Sequence, residues 1–172
     1  MCAISNFPYY YYKKIRRMGI QCRVSNPIIP FLSTVQNSRD HRKICVIDGK
    51  VAFTGGVNLA DEYANEITRF GHWKDTAIML EGDAVRSFTL MFLQVWCLDE
   101  KAPDFTPHLA CTAPQAAQTG FVIPYGDCPL DSDKVGERVY MDLLNRAQRY
   151  VHIMTPYLIL DGELETALKF AA

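Results

Sequence analysis

The sequence has no C-x-x-C pair, no apolar run of membrane-spanning length and almost no net charge, and each absence removes a class of function. Six cysteines (Cys2, Cys22, Cys45, Cys97, Cys111 and Cys128) are scattered without metal-ligand spacing. That argues against a disulfide scaffold or a zinc site, and it suggests a reducing compartment. A formal net charge of -1 excludes a strongly basic nucleic-acid binder in the bulk sense and leaves room for a local basic pocket. Met1 to Tyr12 lacks the charged and apolar regions of a signal peptide, so the chain as it stands reads as a soluble domain. With 172 residues, 49% of them hydrophobic, it can bury one sizeable core.

What is present is concentrated between Asp40 and Asn58, in the stretch D-H-R-K-I-C-V-I-D-G-K-V-A-F-T-G-G-V-N. Ile44 to Ile47 is a short apolar run, mostly β-branched, ending in Asp48-Gly49, a dipeptide that favours positive φ and closes two-residue hairpins. Lys50 to Thr54 returns as the partner strand. Side chains two apart on a strand share a face, so His41 and Lys43 are expected to project together, an imidazole beside an ammonium suited to a phosphoryl group. Gly55 and Gly56 lack Cβ atoms and let backbone N–H groups approach an anion, and Asn58 adds an amide donor. Basic residues before a strand are common, and D-G-K is an ordinary turn. The weight lies in the register of the whole string, H-x-K-x4-D-x6-G-G-x-N, with His41, Lys43, Asp48, Gly55, Gly56 and Asn58 all in place.

That string resembles the phospholipase D superfamily, and within it R-D-H-R-K-I-C-V-I-D-G-K-V-A-F-T-G-G-V-N-L-A-D-E-Y is most similar to bacterial cardiolipin synthases. A second segment, Gly71-His72-Trp73-Lys74-Asp75-Thr76, is similar to the G-x-W-[RK]-D-T that follows the first motif in those sequences. The resemblance makes Asp75 a candidate orienter of His41: a carboxylate accepting the Nδ1 proton leaves Nε2 free to attack. The bland alternative is a residue at a strand end facing water.

In chain order, Tyr9 to Met18 alternates aromatic and basic residues before Gly19, the pattern of a helix with a glycine C-cap. Its Lys13, Lys14, Arg16 and Arg17 cluster suits either anionic lipid headgroups or a plain solvated face. Strands are expected near residues 20, 45, 52, 77, 122 and 152, and a proline-containing loop around Pro27 and Pro30 leads to Asp40. Leu59 to Ala64 reads as a short helix or turn. Asp83 is placed to cap a helix to about Leu98 whose stripe of Val85, Phe88, Phe92, Val95 and Trp96 is core packing. Ser132 or Asp133 is placed to cap a helix to about Tyr150, and Asp161 a last one. The fold class is α/β, a mixed central sheet flanked by helices and phospholipase D-like. Residues 1–99 form a first half carrying the motif, 100–119 a proline-rich linker, and 120–172 the start of a second half.

The resemblance implies phosphatidyl transfer by two histidines. One attacks phosphorus to form a phosphohistidine, and the second, from another H-x-K motif, protonates the leaving alcohol. His41 is the implied nucleophile, Lys43 and Asn58 stabilise phosphoryl oxygens, and Asp48 holds the hairpin. No cofactor and no metal are required, because lysine and amide donors carry the electrostatic work. Asp40, His41, Asp61, Glu62, His72 and Asp75 are metal-capable residue types but fit no standard ligand spacing. His108 and His152 have no lysine two positions on, and His72, though followed by Lys74, lacks the aspartate and the G-G-x-N that complete the motif, so the second motif is expected in a missing C-terminal half, and membrane-spanning N-terminal segments are expected to be missing as well. The implied partner is an anionic phospholipid, phosphatidylglycerol, and not nucleic acid. The expected location is the cytoplasmic membrane for a full-length parent, with this piece soluble. Two other functions share the motif: a phosphodiesterase or nuclease using water as acceptor, and a non-catalytic remnant that binds phosphate.

Overall fold

A computed structural model describes residues 8, 10–25, 40–110, 120–128, 132–155 and 157–172. The expected loop around Pro27 and Pro30, the linker part 111–119, Cys2, Cys111 and Pro156 lie outside the described residues. The described chain divides into two compact units, Met1–Pro124 and Tyr125–Ala172.

The first unit is built on an antiparallel meander: β1 (Ile44–Ile47), β2 (Val51–Gly55) and β3 (Ala77–Glu81), in the order β1-β2-β3. Asp48 (φ 52) and Gly49 (φ 65) turn the chain through two left-handed residues, and the Lys50 N–H donates to Ile47 O at 2.9 Å. Ile47 pairs with Val51, so three residues form the loop and the returning strand begins at Val51 rather than Lys50. Strand alternation sends Ile44, Val46, Ala52 and Leu80 to one face, where helix α2 (Ala84–Trp96) covers them with Val85, Phe88 and Met91. Ala52 and Val85 are fully buried there. Ile47, Cys45 and Met79, on the opposite face, are exposed.

Helix α2 begins after Asp83, but Asp83 is itself in a helical conformation and its carboxylate accepts no capping bond. Its buried residues are Val85, Phe88 and Leu93, while Phe92 is 46% exposed and stacks on Trp96 at 5.5 Å. The stripe read from spacing therefore holds for its first half and rotates out of the core at Phe92. Helix α1 (Tyr11–Arg17) closes as its sequence predicts. Gly19 adopts φ 81, its N–H donates to Arg16 O, and the Ile20 N–H reaches Ile15 O, the paired pattern of a left-handed cap.

The second unit is a helix pair, α3 (Val135–Arg146) and α4 (Gly162–Ala171), packed through Leu144 and Ala167. The Asp161 carboxylate caps α4 by accepting from the Leu164 N–H at 2.9 Å. Helix α3 starts after Lys134, not Ser132 or Asp133, and stops at Arg146 because Ala147 turns to an extended ψ of 127.

The α/β class holds, but the described sheet is three-stranded and antiparallel rather than mixed, with one helix against one face. The expected strands near residues 20, 122 and 152 are not strands. Alternating apolar residues satisfy a strand only when a neighbouring backbone completes the ladder, and no partner strand meets these segments among the described residues.

Candidate active site

His41 to Lys43 immediately precede β1 and stand outside the ladder. Lys43 is half-buried, and its Nζ donates to the backbone oxygen of His41 at 2.6 Å. The ammonium is thus drawn onto the main chain that carries the imidazole, while His41 itself is exposed. Between them, Arg42 turns the other way and forks onto the Asp40 carboxylate, at 2.9 Å through Nε and 2.8 Å through Nη2. These hydrogen bonds hold the Asp40 carboxyl below its ordinary value, against a smaller opposing effect of burial.

Two glycines stand at this same end of the sheet, where Ile44 pairs with Thr54 and Gly55 with Ala77. A Cβ on Gly55 would lie 2.3 Å from the Thr76 carbonyl oxygen, and one on Gly56 would lie 2.3 Å from Asp75 Oδ1. Gly55 needs glycine because the backbone at the start of β3 passes directly over it, whereas at Gly56 the obstacle is the Asp75 side chain. The Gly56 N–H donates to Thr76 O at 3.0 Å, extending the ladder by one bond, so this donor is engaged by protein. Asp75 is half-buried beside Gly56. Its Oδ1 accepts from the Thr76 N–H at 2.8 Å and its Oδ2 from Trp73 Nε1 at 3.2 Å.

Between Gly56 and Asp75 the chain makes a compact loop, as expected of Asn65 to His72, with turns rather than a short helix over Leu59 to Ala64. Asn65 adopts φ 61, a conformation asparagine tolerates better than most residues, and its side chain brackets Trp73. Asn65 Nδ2 donates to Trp73 O at 2.8 Å, and the Trp73 N–H donates to Asn65 Oδ1 at 2.7 Å. Tyr63 meets Trp73 edge-on at 5.0 Å, and Phe70 lies 5.9 Å from Trp73. Glu62, only 5% exposed, is met by Arg69 at 3.4 Å. The sequence signal for this loop was the spacing of one asparagine and one tryptophan across eight residues, which no short motif records.

The structure therefore sets His41 and Lys43, Gly55 and Gly56, and Asp75 at one end of the sheet, with Lys43 bonded to the His41 main chain and Asp75 against Gly56. Among the described residues no hydrogen bond or ion pair joins His41 to Asp75 or to Asn58. Asn58 is half-buried two residues past Gly56, and Asp48 is exposed in the hairpin loop. No group of three or more His, Cys, Asp or Glu side chains is placed to hold a metal ion among the described residues.

Comparison with known proteins places this arrangement. No family model matches the chain, and no solved structure does. Over all 172 residues it is 58% identical to an uncharacterized protein of Streptococcus mutans serotype c, covering 37% of that protein. The chain is a homologue of members of the phospholipase D superfamily. The relatives in question are named cardiolipin synthase. One from Geobacillus sp. strain WCH70 is 37% identical over 164 residues, and a cardiolipin synthase 2 from Bacillus cereus is 34% identical over 164 residues. Each match takes in 94% of this chain and 33% or 32% of the relative. The chain thus spans about a third of the length of the cardiolipin synthases it matches. Among the described residues no helix is long and apolar enough to cross a membrane.

Proposed function

We propose that this chain is the portion of a phosphatidyltransferase of cardiolipin synthesis that carries the nucleophile. The supporting observation is the coincidence of two independent facts. Homologues named cardiolipin synthase align along 94% of the chain, and its H-x-K-x4-D-x6-G-G-x-N string is in full register. In the proposed reaction, His41 Nε2 attacks the phosphorus of one phosphatidylglycerol. The P–O bond to the headgroup glycerol breaks, and the glycerol oxygen takes a proton from a second histidine supplied outside these residues. The second histidine, now neutral, takes the proton from the hydroxyl of a second phosphatidylglycerol as that oxygen attacks the phosphohistidine, the P–N bond breaks to restore His41, and cardiolipin leaves. Dividing the exchange replaces one difficult displacement with two easier ones.

Lys43 supports the first step through its position. An ammonium anchored on the His41 carbonyl is held on the main chain of the nucleophile's own residue, a position from which it can meet charge that develops on the phosphoryl oxygens. The Asn58 amide has the donors to assist it. Asp75, held by Trp73 and Thr76 against Gly56, reaches the imidazole only if the loop or the His41 rotamer shifts on binding substrate, a tightening that apo sites commonly undergo. A water acceptor in place of the second lipid gives the phosphodiesterase alternative with the same first step.

Incubation of the chain with phosphatidylglycerol labelled in its phosphate tests the nucleophile. The expected product is an acid-labile, base-stable phosphoryl adduct that maps to His41 and is absent in His41→Ala. Adduct formation undiminished in His41→Ala removes His41 from this role.

A further inference from the structure

Charge is segregated along this chain far more than its net value of -1 suggests. No acidic residue precedes Asp40, whereas Lys13, Lys14, Arg16, Arg17, Arg23 and Arg39 all do. Four of these cations fall within the seven residues of α1. Helical spacing puts Tyr10, Lys13, Lys14, Arg17 and Met18 on one stripe, and each of them is exposed, Tyr10 at 63% and Met18 at 67%. Tyr11, Tyr12 and Ile15, on the other side, are half-buried. Just past the cap, Ile20 adds another exposed apolar side chain at 53%.

Two cations of this stripe lie over aromatic faces rather than beside carboxylates. Lys13 Nζ lies 5.3 Å from the Tyr10 ring centre and Lys14 Nζ 5.6 Å from that of Tyr11. Among the described residues Lys13, Lys14 and Arg17 have no salt-bridge partner. The helix is nevertheless tied to the fold. Arg16 Nε donates to Cys22 O at 2.9 Å. Arg23 stacks on Trp96 at 4.9 Å, donates to Trp96 O and pairs with Glu100 at 2.9 Å. A positively charged, counter-ion-free stripe on an anchored element is a surface prepared for an anionic partner.

We propose that the exposed face of α1, with Met18 and Ile20 beyond its cap, is a docking surface for an anionic lipid bilayer. The chemistry separates this partner from nucleic acid. Both would welcome the lysines and arginine, but only a bilayer interface rewards solvent-exposed Met18 and Ile20 beside tyrosine, whose ring and hydroxyl suit the boundary between headgroups and acyl chains. Long basic side chains lying along aromatic rings can keep their stems in that boundary and their charges among the headgroups. The inference is independent of the phosphoryl chemistry proposed for His41, since it concerns adsorption to a surface and not a reacting phosphate.

The test is sedimentation of the chain with vesicles of phosphatidylcholine alone, phosphatidylcholine with phosphatidylserine, and phosphatidylcholine with phosphatidylglycerol. Binding is expected to both anionic mixtures, to be weak on phosphatidylcholine, and to fall steeply with added salt. Neutralising Lys13, Lys14 and Arg17 together to glutamine is expected to weaken binding by about 10²-fold, from roughly 1 kcal/mol per basic residue near an anionic leaflet. Met18→Ser with Ile20→Ser is expected to weaken binding while its salt dependence persists. Because α1 buries no residue, these variants should keep the parent's circular dichroism and melting temperature. The lipid-charge and salt dependence of the unmodified chain decides the matter even for a variant that misfolds. Equal binding to neutral vesicles, unchanged binding by the triple variant, or tighter binding to an oligonucleotide than to anionic vesicles at one ionic strength overturns the proposal.

Discussion

The indole N–H of Trp73 donates to the Asp75 carboxylate at 3.2 Å, while the main chain of the same tryptophan is bracketed by Asn65. One residue thus couples the order of the loop after β2 to the position of the acid at the start of β3. Trp73→Phe keeps an aromatic ring against Tyr63 and removes only the donor. Its expected cost is about 1.5–3 kcal/mol, the range for a hydrogen bond to a charged group, read as a lower urea midpoint with unchanged slope. An unchanged midpoint would show that the carboxylate is held by Thr76 alone.

Gly56 and Asp75 form a second testable pair. Gly56→Ala drives a Cβ to 2.3 Å from Asp75 Oδ1, and overpacking of this kind costs about 1–3 kcal/mol. Asp75→Gly in the same chain clears the obstructing side chain, so the double variant is expected to be more stable than the sum of the single effects allows. A double-mutant cycle measures that coupling, and additive losses would mean that the strand shifts to make room.

The extent to which these relationships were legible varies with where the partner lies. The hairpin could be read because Asp48 and Gly49 carry their own conformational preference, realised at φ 52 and φ 65. The need for glycine at positions 55 and 56 was visible, but its cause was not: the atoms that forbid a side chain belong to Thr76 and Asp75, distant in sequence. The shared orientation expected of His41 and Lys43 presumed a strand. These residues fall just outside the ladder, where alternation no longer governs direction and Lys43 is free to turn onto His41 O. The segments near 20, 122 and 152 alternate as strands do, yet alternation says nothing about whether a neighbour is present to accept them.

The core predicts a contrast along one helix. Phe88 is 6% exposed and touches the sheet, whereas Phe92, one turn on, is 46% exposed. Phe88→Ala is expected to cost about 3–5 kcal/mol and Phe92→Ala well under half of that, compared by thermal melting. Similar losses at both positions would mean that Phe92 is covered in solution by something outside the described residues.

The Asp40–Arg42 fork carries a pH signature. The Asp40 carboxyl titrates below its unfolded value, so the stability it contributes is complete above the ordinary carboxylate range and is lost as pH falls through the lowered folded value. Both side chains are about a third exposed, at 34% and 32%, so the effect is of surface size, about 0.2–1 kcal/mol. Asp40→Asn should therefore lower stability at neutral pH and converge with the parent in acid. Parallel stability curves through the acid range would show that the fork contributes nothing.

The final prediction concerns turnover. His41 carries the only H-x-K-x4-D pattern in the chain: His72 is followed by Lys74 but Met79 stands where the aspartate would be, and His108 and His152 have no lysine two positions on. If the leaving glycerol needs a second imidazole, the chain should form its phosphohistidine slowly and only in trace amount, with turnover lower by about 10²–10⁴-fold, the usual contribution of general acid catalysis. Supplying a separately expressed segment that contains a second H-x-K motif should restore cardiolipin production, and His41→Ala should abolish the restored activity. Lys43→Met should slow adduct formation itself by about 10²–10³-fold, because it removes a preorganised cation at the developing charge. A competing route to a second imidazole is a dimer in which two copies join their His41 faces about a two-fold axis. Its mark would be turnover rising with the square of chain concentration and complementation between His41→Ala and Lys43→Met chains. Robust turnover by a strictly monomeric chain would mean that leaving-group protonation comes from within these 172 residues, and the two-motif mechanism would have to be abandoned for this protein.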